Sequence, residues 1–133
     1  MWTEMAALRT ALAAISGVET CKIGIEAGMS PADYPMIRVV PMRLVPGKPY
    51  NNRTATVNIY FGANVGETQD DGSVYGLEYV YKTLSTLEDE IIQVVKAQSH
   101  KYIDTVTDED RLDTFKLMVV RCEVLCARPE TAP

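Results

Sequence analysis

The clearest hydrophobic pattern in the chain runs from Tyr75 to Ala97. On a 3.6-residue period its apolar side chains fall on one stripe, while acidic, basic and amide side chains occupy the opposite face, and no proline interrupts it. The stripe consists of Leu77, Val80, Leu84, Leu87, Ile91 and Val94 or Val95. The pattern predicts an amphipathic helix of about six turns that packs against a sheet, because such a helix is marginal in water by itself.

A second helix is predicted at the N-terminus. Apolar residues recur there at intervals of three and four, and alanines fill the positions between them. The apolar positions are Trp2, Met5, Leu8, Leu12 and Ile15. Gly17 is well placed to end this helix in the left-handed conformation.

Alternating apolar and polar residues predict four strands. They cover Cys21–Ile25, Met36–Leu44, Arg53–Phe61 and Thr114–Cys126. Pro41 cannot donate a ladder hydrogen bond, so the second strand is predicted to be at an edge or bulged there. The segment Tyr102–Val106 is predicted as a short strand or a turn.

The alternation in the last strand changes phase. Phe115, Leu117 and Val119 share one face, whereas Val120, Cys122, Val124 and Cys126 continue the apolar set on the other. A bulge near Val119-Val120 would keep the apolar set on one side. Alternatively, both faces are covered, one by helices and one by another subunit.

These elements predict an α+β fold of order α-β-β-β-α-β. The sheet is expected to be mixed, mainly antiparallel and four-stranded, with two helices packed on one face. At 133 residues the chain is expected to form one domain over residues 1–126, followed by a flexible tail over 127–133. Long loops are predicted at Val45–Asn52, Gly62–Val74 and Thr107–Asp113.

The composition bears on membrane association, on export and on the oxidation state of the cysteines. No apolar run approaches the roughly 18–20 residues that span a bilayer, so no membrane association is expected. Glu4 and Arg9 interrupt the N-terminal apolar pattern, which argues against a signal peptide and favours a cytoplasmic site of synthesis. The three cysteines, Cys21, Cys122 and Cys126, form no C-x-x-C pair and are expected to be reduced and buried on strands.

Charge is unevenly distributed. Residues 1–66 contain six basic and four acidic residues, whereas residues 67–133 contain seven basic and fourteen acidic ones. The acidic second half argues against specific nucleic-acid binding, which requires a basic face. A basic part beside an acidic part also favours head-to-tail association of identical subunits.

A search for catalytic, cofactor or metal sites identifies none. His100, the single histidine, follows the long helix, where the helix dipole is the simplest explanation for it. The acidic run at 108–113 lacks the ligand spacing of a calcium loop. Seven tyrosines outnumber phenylalanine and tryptophan together, which mildly favours a protein interface. We therefore expect a protein that is not an enzyme and has no cofactor.

The order of features resembles the tail terminator proteins of long-tailed phages. The resemblance is carried by the helix Trp2–Ile15, the step Asp33-Tyr34-Pro35 into strand Met36–Val40, the strand Thr54–Phe61 ending in Gly62-Ala63, the long helix, and the final strand Phe115–Cys126. In that family a comparable Asp-aromatic-Pro step precedes a strand.

The resemblance implies a virion protein assembled in the bacterial host cytoplasm. Such a protein forms a ring, generally a hexamer, that caps the tail tube, ends its polymerisation and offers a surface to the head–tail connector protein. Its partners would be further copies of itself, the tail tube protein and the connector protein. Interface residues are predicted in the loops and beside them: Tyr50, Asn51, Arg53, Glu67, Asp70, Asp71, Asp108, Asp110 and Arg111.

Two other classes remain open at this level. One is a head–tail connector or tail completion protein of the same structural class. The other is an adaptor or small-ligand-binding α+β domain unrelated to phage, with a pocket under its helices. An enzyme ranks third, since it would need tyrosine and carboxylate side chains to converge from distant segments.

Overall fold

A computed structural model describes residues 1–24, 35–46, 52–64, 77–107 and 115–127. Along the chain these form α1 (Trp2–Ala13), β1 (Thr20–Ile23), β2 (Met36–Pro46), β3 (Asn52–Asn64), α2 (Leu77–Ala97), β4 (Lys101–Thr107) and β5 (Phe115–Ala127). The α+β class predicted from the sequence is confirmed.

The sheet has five strands in the order β1-β2-β3-β5-β4. β1 and β2 are parallel, and the other three neighbouring pairs are antiparallel. The prediction of four strands was wrong, because Lys101–Thr107 pairs with β5 as a fifth strand. Its alternation is hard to detect in the sequence, since the register shifts between Tyr102 and Asp104 and the strand is only seven residues long.

Both helices pack on one face of this sheet. The stripe of α2 is buried at Val80, Leu84, Leu87, Ile91 and Val95, and α1 contributes Met5, Leu8 and Leu12 to the same core. The central strand β3 supplies alternate residues from Ala55 to Ala63. Trp2, predicted to share the α1 stripe, is instead 69% exposed. At about 100° per residue, Trp2 lies on the flank of the buried stripe, on the side of the helix that carries Ala6 and Arg9.

β5 pairs with β3 without interruption, from Ala127 opposite Asn52 to Phe115 opposite Asn64. The bulge predicted near Val119-Val120 is therefore wrong. Val120, Cys122 and Val124 are fully buried beneath the helices, while Leu117 and Val119 are half-buried on the opposite face. The apolar alternation changes phase along β5 because the first part of the strand has apolar side chains on the face opposite the helices and the later part has them beneath the helices.

The irregularities lie on other strands. β2 shifts register between Pro41 and Arg43, where Met42 is the extra residue, so the bulge predicted at Pro41 is confirmed. Among the described residues, β1 pairs with β2 only up to Val39, so that Val40–Pro46 pair with β3 alone. Proline is tolerated at bulges and in strands that are paired on one side, because fewer ladder hydrogen bonds are required there.

The two helix ends differ from each other. α2 ends in a Schellman motif, in which the His100 N–H bonds to the Val95 carbonyl and the Ser99 N–H to the Lys96 carbonyl, both at 3.0 Å. Ser99 occupies the left-handed position with φ of 64°. α1 ends at Ala13, earlier than predicted, and Gly17 (φ 88°) belongs to the turn that follows instead of capping the helix.

Neither described helix is long and apolar enough to cross a membrane. The loops predicted at Val45–Asn52 and Gly62–Val74 are shorter than expected, since Val45 and Pro46 belong to β2 and Asn52 and Gly62–Asn64 to β3. Similarly, Thr107 belongs to β4 and Ala127 to β5. The remaining residues of the predicted loops and tail lie outside the described residues.

Candidate interaction surfaces

Of the residues predicted to form interfaces, the structure describes Arg53. The others, Tyr50, Asn51, Glu67, Asp70, Asp71, Asp108, Asp110 and Arg111, lie outside the described residues. Arg53 stands near the start of β3, opposite Cys126 of β5. It is half-buried, and its Nε is buried without a hydrogen-bond partner among the described residues.

Arg53 belongs to a polar cluster at the N-terminal end of α1. The cluster also contains Glu4, whose negative charge acts on both His100 and Cys126. Burial, and secondarily the negative charge of Glu4, raise the pKa of the Cys126 thiol, while Arg53 acts in the opposite direction. Burial lowers the pKa of His100, and Glu4 opposes this shift. The cluster thus favours a protonated thiol and a neutral imidazole, which is the opposite of an activated cysteine–histidine pair.

All three cysteines lie on strands, as expected from the sequence, and Cys122 and Cys126 are buried as predicted. Burial raises the pKa of Cys122 to about 12, so this thiol is protonated at neutral pH. Cys21 is half-buried, and its Sγ lies 3.5 Å from the Arg9 carbonyl oxygen. Within the described ranges, no group of His, Cys, Asp and Glu side chains could hold a metal ion.

The face of the sheet opposite the helices combines polar and apolar side chains. Arg121 of β5 forms a two-pronged ion pair with Asp104 of β4. Arg38 of β2 is fully buried, with one guanidinium nitrogen donating to the Ile37 carbonyl at 2.8 Å. Leu125, by contrast, is 56% exposed. This face therefore carries an ion pair and a buried arginine hydrogen bond beside apolar side chains that reach solvent.

The two edges of the sheet carry exposed apolar side chains. On β4 these are Ile103 and Val106, each 43% exposed. On the part of β2 after Val39, where the described residues pair with β3 alone, they are Met42, Leu44 and Val45. Exposed apolar side chains next to strand edges are typical of surfaces that contact another chain.

Two concavities flank the helices. The first, of about 300 Å³, lies between α2 and the turn after α1 and is lined by Ser16, Gly17, Pro35, Thr86, Leu87 and Glu90 among others. The second, of about 280 Å³, lies between α1 and β1 and is lined by Trp2, Ala6, Arg9, Cys21, Lys22 and Ile23. We call the second one the α1–β1 groove.

The α1–β1 groove is not apparent from the sequence pattern. Apolar periodicity groups Trp2 with the buried stripe of α1, because it does not show how far the packed surface of a helix extends. The available signal was the excess of basic residues in residues 1–66, to which Arg9 and Lys22 belong.

No protein-family model matches the chain. No curated protein sequence matches it at a significant level.

Proposed function

We propose that this protein is a phage virion structural protein of the tail terminator type. In this role it forms a ring, generally of six copies, that caps the tail tube, ends tube polymerisation and presents a joining surface to the head–tail connector protein. The role requires no catalysis and no cofactor, and it places the protein in the virion after assembly in the bacterial cytoplasm. The proposal rests on the resemblance of the element order described above.

The structural observation that best supports the proposal is the distribution of exposed apolar side chains around the sheet. The helices cover one face, whereas Leu125 on the other face, Val106 on β4 and Met42 on β2 all reach solvent. Burying such positions against further copies would remove apolar area from water at about 25 cal/mol per Å². A subunit with apolar surface at both edges suits an assembly in which each copy contacts two neighbours.

The two edges are chemically different. β1 with α1 forms one edge, and β4 forms the other. A contact between unlike edges is heterologous, and such contacts generate rings when the rotation between subunits closes. A cyclic assembly is therefore the arrangement that we favour over a two-fold dimer.

Mass in solution, measured by light scattering behind size exclusion over a range of protein and salt concentrations, tests the ring. A species near six times the 14.7 kDa chain, or a concentration-dependent equilibrium between monomer and ring, is the expected result. A terminator ring can depend on the tail tube for its assembly. A monomer that shifts in size when tail tube protein is added therefore also supports the proposal. A monomer or dimer that ignores tube protein at every concentration contradicts it.

A loop variant tests the tube contact. Residues 65–74 are replaced by a short Gly-Ser linker, which retains Gly62–Asn64 because these residues pair with β5. The expected result is weaker binding to tube protein or a smaller oligomer, with the unfolding midpoint retained. A matched control replaces three exposed residues of α2, Lys82, Ser85 and Gln93, with alanine. Unchanged mass and tube binding in the loop variant would refute a role of this loop in assembly.

The cavity beside α2 favours a second candidate function, a small-ligand-binding domain. Its volume of about 300 Å³ is at the lower limit for small-molecule sites, and Leu87 gives it an apolar wall beside the hydroxyl of Thr86. A fragment screen by NMR tests it, with Thr86→Trp as the blocking variant. Ligands that shift signals of the cavity residues in the wild type and not in that variant would favour this function over the ring.

A further inference from the structure

The two edges of the sheet differ in their capacity to pair with a further strand. At the first edge, β1 has four residues and packs beside α1, and β2 continues past it with two prolines and a register shift at Met42. Prolines and bulges of this kind prevent the addition of a strand. β4 forms the other edge, contains no proline and, among the described residues, pairs with β5 alone. Its register shift lies between Tyr102 and Asp104, so the run Asp104–Thr107 is regular.

The backbone direction of each residue in the sheet follows from one hydrogen bond at the first edge. The Gly24 N–H donates to the Val39 carbonyl at 2.8 Å, so the backbone polar groups of Val39 point toward β1. Direction alternates along a strand, so the groups of Val40 point toward β3, and Val40 and Asn58 form a hydrogen-bonded pair. The nitrogen of Pro41 then faces away from β3, on the side where proline is tolerated in an edge strand.

The same alternation extends across the sheet to β4. Asn58 lies opposite Arg121 of β5, and the pairing of these two strands is uninterrupted. Because the backbone groups of Asn58 point toward β2, those of Arg121 point away from β3 and toward β4. Arg121 in turn lies opposite Asp104, so these two residues form a hydrogen-bonded pair.

Within β4, alternate residues therefore direct their N–H and C=O groups away from the sheet. Val106, opposite Val119, bonds to β5 as Asp104 does. The groups of Thr105 and Thr107 point outward instead. In the part of the chain that the structure describes, no strand lies on that side of them. They form a short template for one more antiparallel strand.

The sequence at this template is symmetric. Thr105-Val106-Thr107 reads the same in both directions. When two copies of β4 run antiparallel about Val106, Thr105 of each copy faces Thr107 of the other. The outward groups then meet as two hydrogen-bonded pairs, while the two Val106 residues form the closer pair between them, with Cα atoms about 4.5 Å apart. Centring the strands on either threonine leaves one hydrogen-bonded pair within the regular run.

We propose that β4 of one copy pairs with β4 of a second copy, antiparallel and centred on Val106, so that the two sheets join across a two-fold axis. This contact goes beyond the proposed ring and does not depend on it. The pair is a form of the free protein and does not replace the ring as the assembled form. A ring that uses β4 against an unlike edge must separate the pair, because each β4 has one free side.

The side chains at the join fit a second copy. Val106 is 43% exposed and shares the face opposite the helices with Val119, so the pair extends this apolar row from one sheet into the other. The threonines on the helix side face each other, which is a favourable cross-strand combination. None of the three paired residues is charged, and the nearby Asp104 carboxylate is already bound by Arg121 of its own chain.

The contact is small, and its strength follows from that. A strand pair of three residues buries far less than the roughly 800 Å² per partner of a standard stable interface. The association should therefore be weak and should depend on protein concentration. It contains no ion pair between copies, so raising the salt concentration should not weaken it.

Sedimentation velocity of the intact chain, from micromolar to millimolar concentration, measures the association. Val106→Lys brings two ammonium groups to the closest pair of the join and should lower the association constant at least about tenfold. Ile103→Lys is the matched control, since Ile103 lies on the same strand with the same 43% exposure but outside the paired run. It should change the constant by less than about threefold.

Disulfide trapping tests the register. A Cα separation of about 4.5 Å lies within the range that a disulfide spans, so Val106→Cys should form a linked dimer in oxidised glutathione. Ile103→Cys, treated in the same way, should not. Both variants are made with Cys21→Ser, because Cys21 is the half-buried native thiol and the other two are buried.

Amide hydrogen exchange followed by NMR tests the backbone directions. In the monomer the Val106 N–H should exchange slowly because it bonds to β5, and those of Thr105 and Thr107 should exchange fast. Raising the protein concentration should slow the two threonine amides and leave Val106 unchanged.

Circular dichroism and urea unfolding show whether each variant is folded. If Val106→Lys does not fold, Thr107→Pro takes its place, since it removes an outward donor and no hydrogen bond to β5. By the two-fold symmetry it removes two of the four hydrogen bonds between the copies, and it should likewise weaken association.

The outcomes separate this inference from the proposed function. A wild type that is monomeric at millimolar concentration overturns the pair, and a ring that this monomer forms on tail tube protein leaves the terminator function standing. Equal effects of the two lysine variants, or equal trapping at both cysteine positions, also overturn the pair. A dimer that is sensitive to Val106→Lys supports the pair, and if this dimer ignores tube protein, the terminator function is contradicted while the pair stands.

Discussion

Adjacent residues of β5 should respond very differently to the same substitution. Val124 is fully buried beneath the helices, whereas its neighbour Leu125 is 56% exposed on the opposite face. Replacing either with alanine removes apolar groups and lowers strand propensity, so the propensity effect is largely shared. The remaining difference comes from burial.

The expected magnitude follows from the removed groups. Val124→Ala deletes the equivalent of two methylenes from a closed site, which costs about 1.6 kcal/mol for transfer plus a cavity penalty, or about 2–3 kcal/mol in total. Leu125→Ala deletes more carbon but from a side chain that is mostly in water, so its cost is below about 1 kcal/mol. For a chain of this size the Val124 variant should lose roughly 8–12 °C in Tm.

Urea unfolding followed by far-UV circular dichroism measures both variants. It should be done at a concentration where the wild type is monomeric, so that association does not contribute to apparent stability. Equal m-values would show that the unfolded states are comparable.

The reversed order would refute the reasoning. A slip of one residue in the pairing of β5 with β3 would turn Val124 outward and Leu125 inward. Leu125→Ala would then be the costly substitution. Equal costs would show that neither face is covered as the continuous pairing of β5 with β3 requires.

Three further predictions concern single residues. Ser99→Gly should stabilise the protein by about 0.5–1 kcal/mol in urea unfolding, because Ser99 has a φ of 64°. Ser85→Gly in the middle of α2 should instead destabilise it by about 0.5 kcal/mol, which is the difference between the helix propensities of serine and glycine. A loss of stability in Ser99→Gly would contradict the left-handed cap. In thiol labelling at pH 8 read by mass spectrometry, Cys21 should react before Cys122. A pKa of about 12 leaves Cys122 with about a thousandfold less thiolate than an ordinary thiol. Comparable labelling rates of Cys21 and Cys122 in the folded protein would refute the burial of Cys122. The contribution of His100 to the free energy of unfolding should be fully present above its unfolded pKa of 6.5 and should be lost as pH falls toward its lowered folded pKa, because the unfolded state binds the proton first. Urea unfolding at pH 7.5 and 5.5 measures this decline. An equal decline in His100→Asn would assign the effect to other groups.

The local elements were largely predictable from the sequence. The α2 stripe and the alternation of β3 each identify a buried face without knowledge of the partner, and both are buried as predicted. The reason is that helix and strand geometry fix which residues share a face, at periods of 3.6 and 2.

The candidate interaction surfaces were less predictable. The sequence indicated loops and charged residues as interface candidates, and of these Arg53 alone falls in the part of the chain that the structure describes. The α1–β1 groove combines Trp2 and Arg9 from one element with Lys22 from another. No spacing rule connects residues that become neighbours only when a helix packs beside a strand.

What the sequence by itself determined is therefore the kind and polarity of each regular element, because these depend on interactions between residues close in the chain. Tertiary structure decided which strands pair and which apolar residues remain in water. Lys101–Thr107 became a strand because β5 offered an unpaired edge, and β5 has two apolar faces of which the helices cover one. Trp2 stayed exposed because it lies on the flank of α1, beside the stripe that packs on the sheet, and a pattern along the chain carries no information about how wide the opposing surface is.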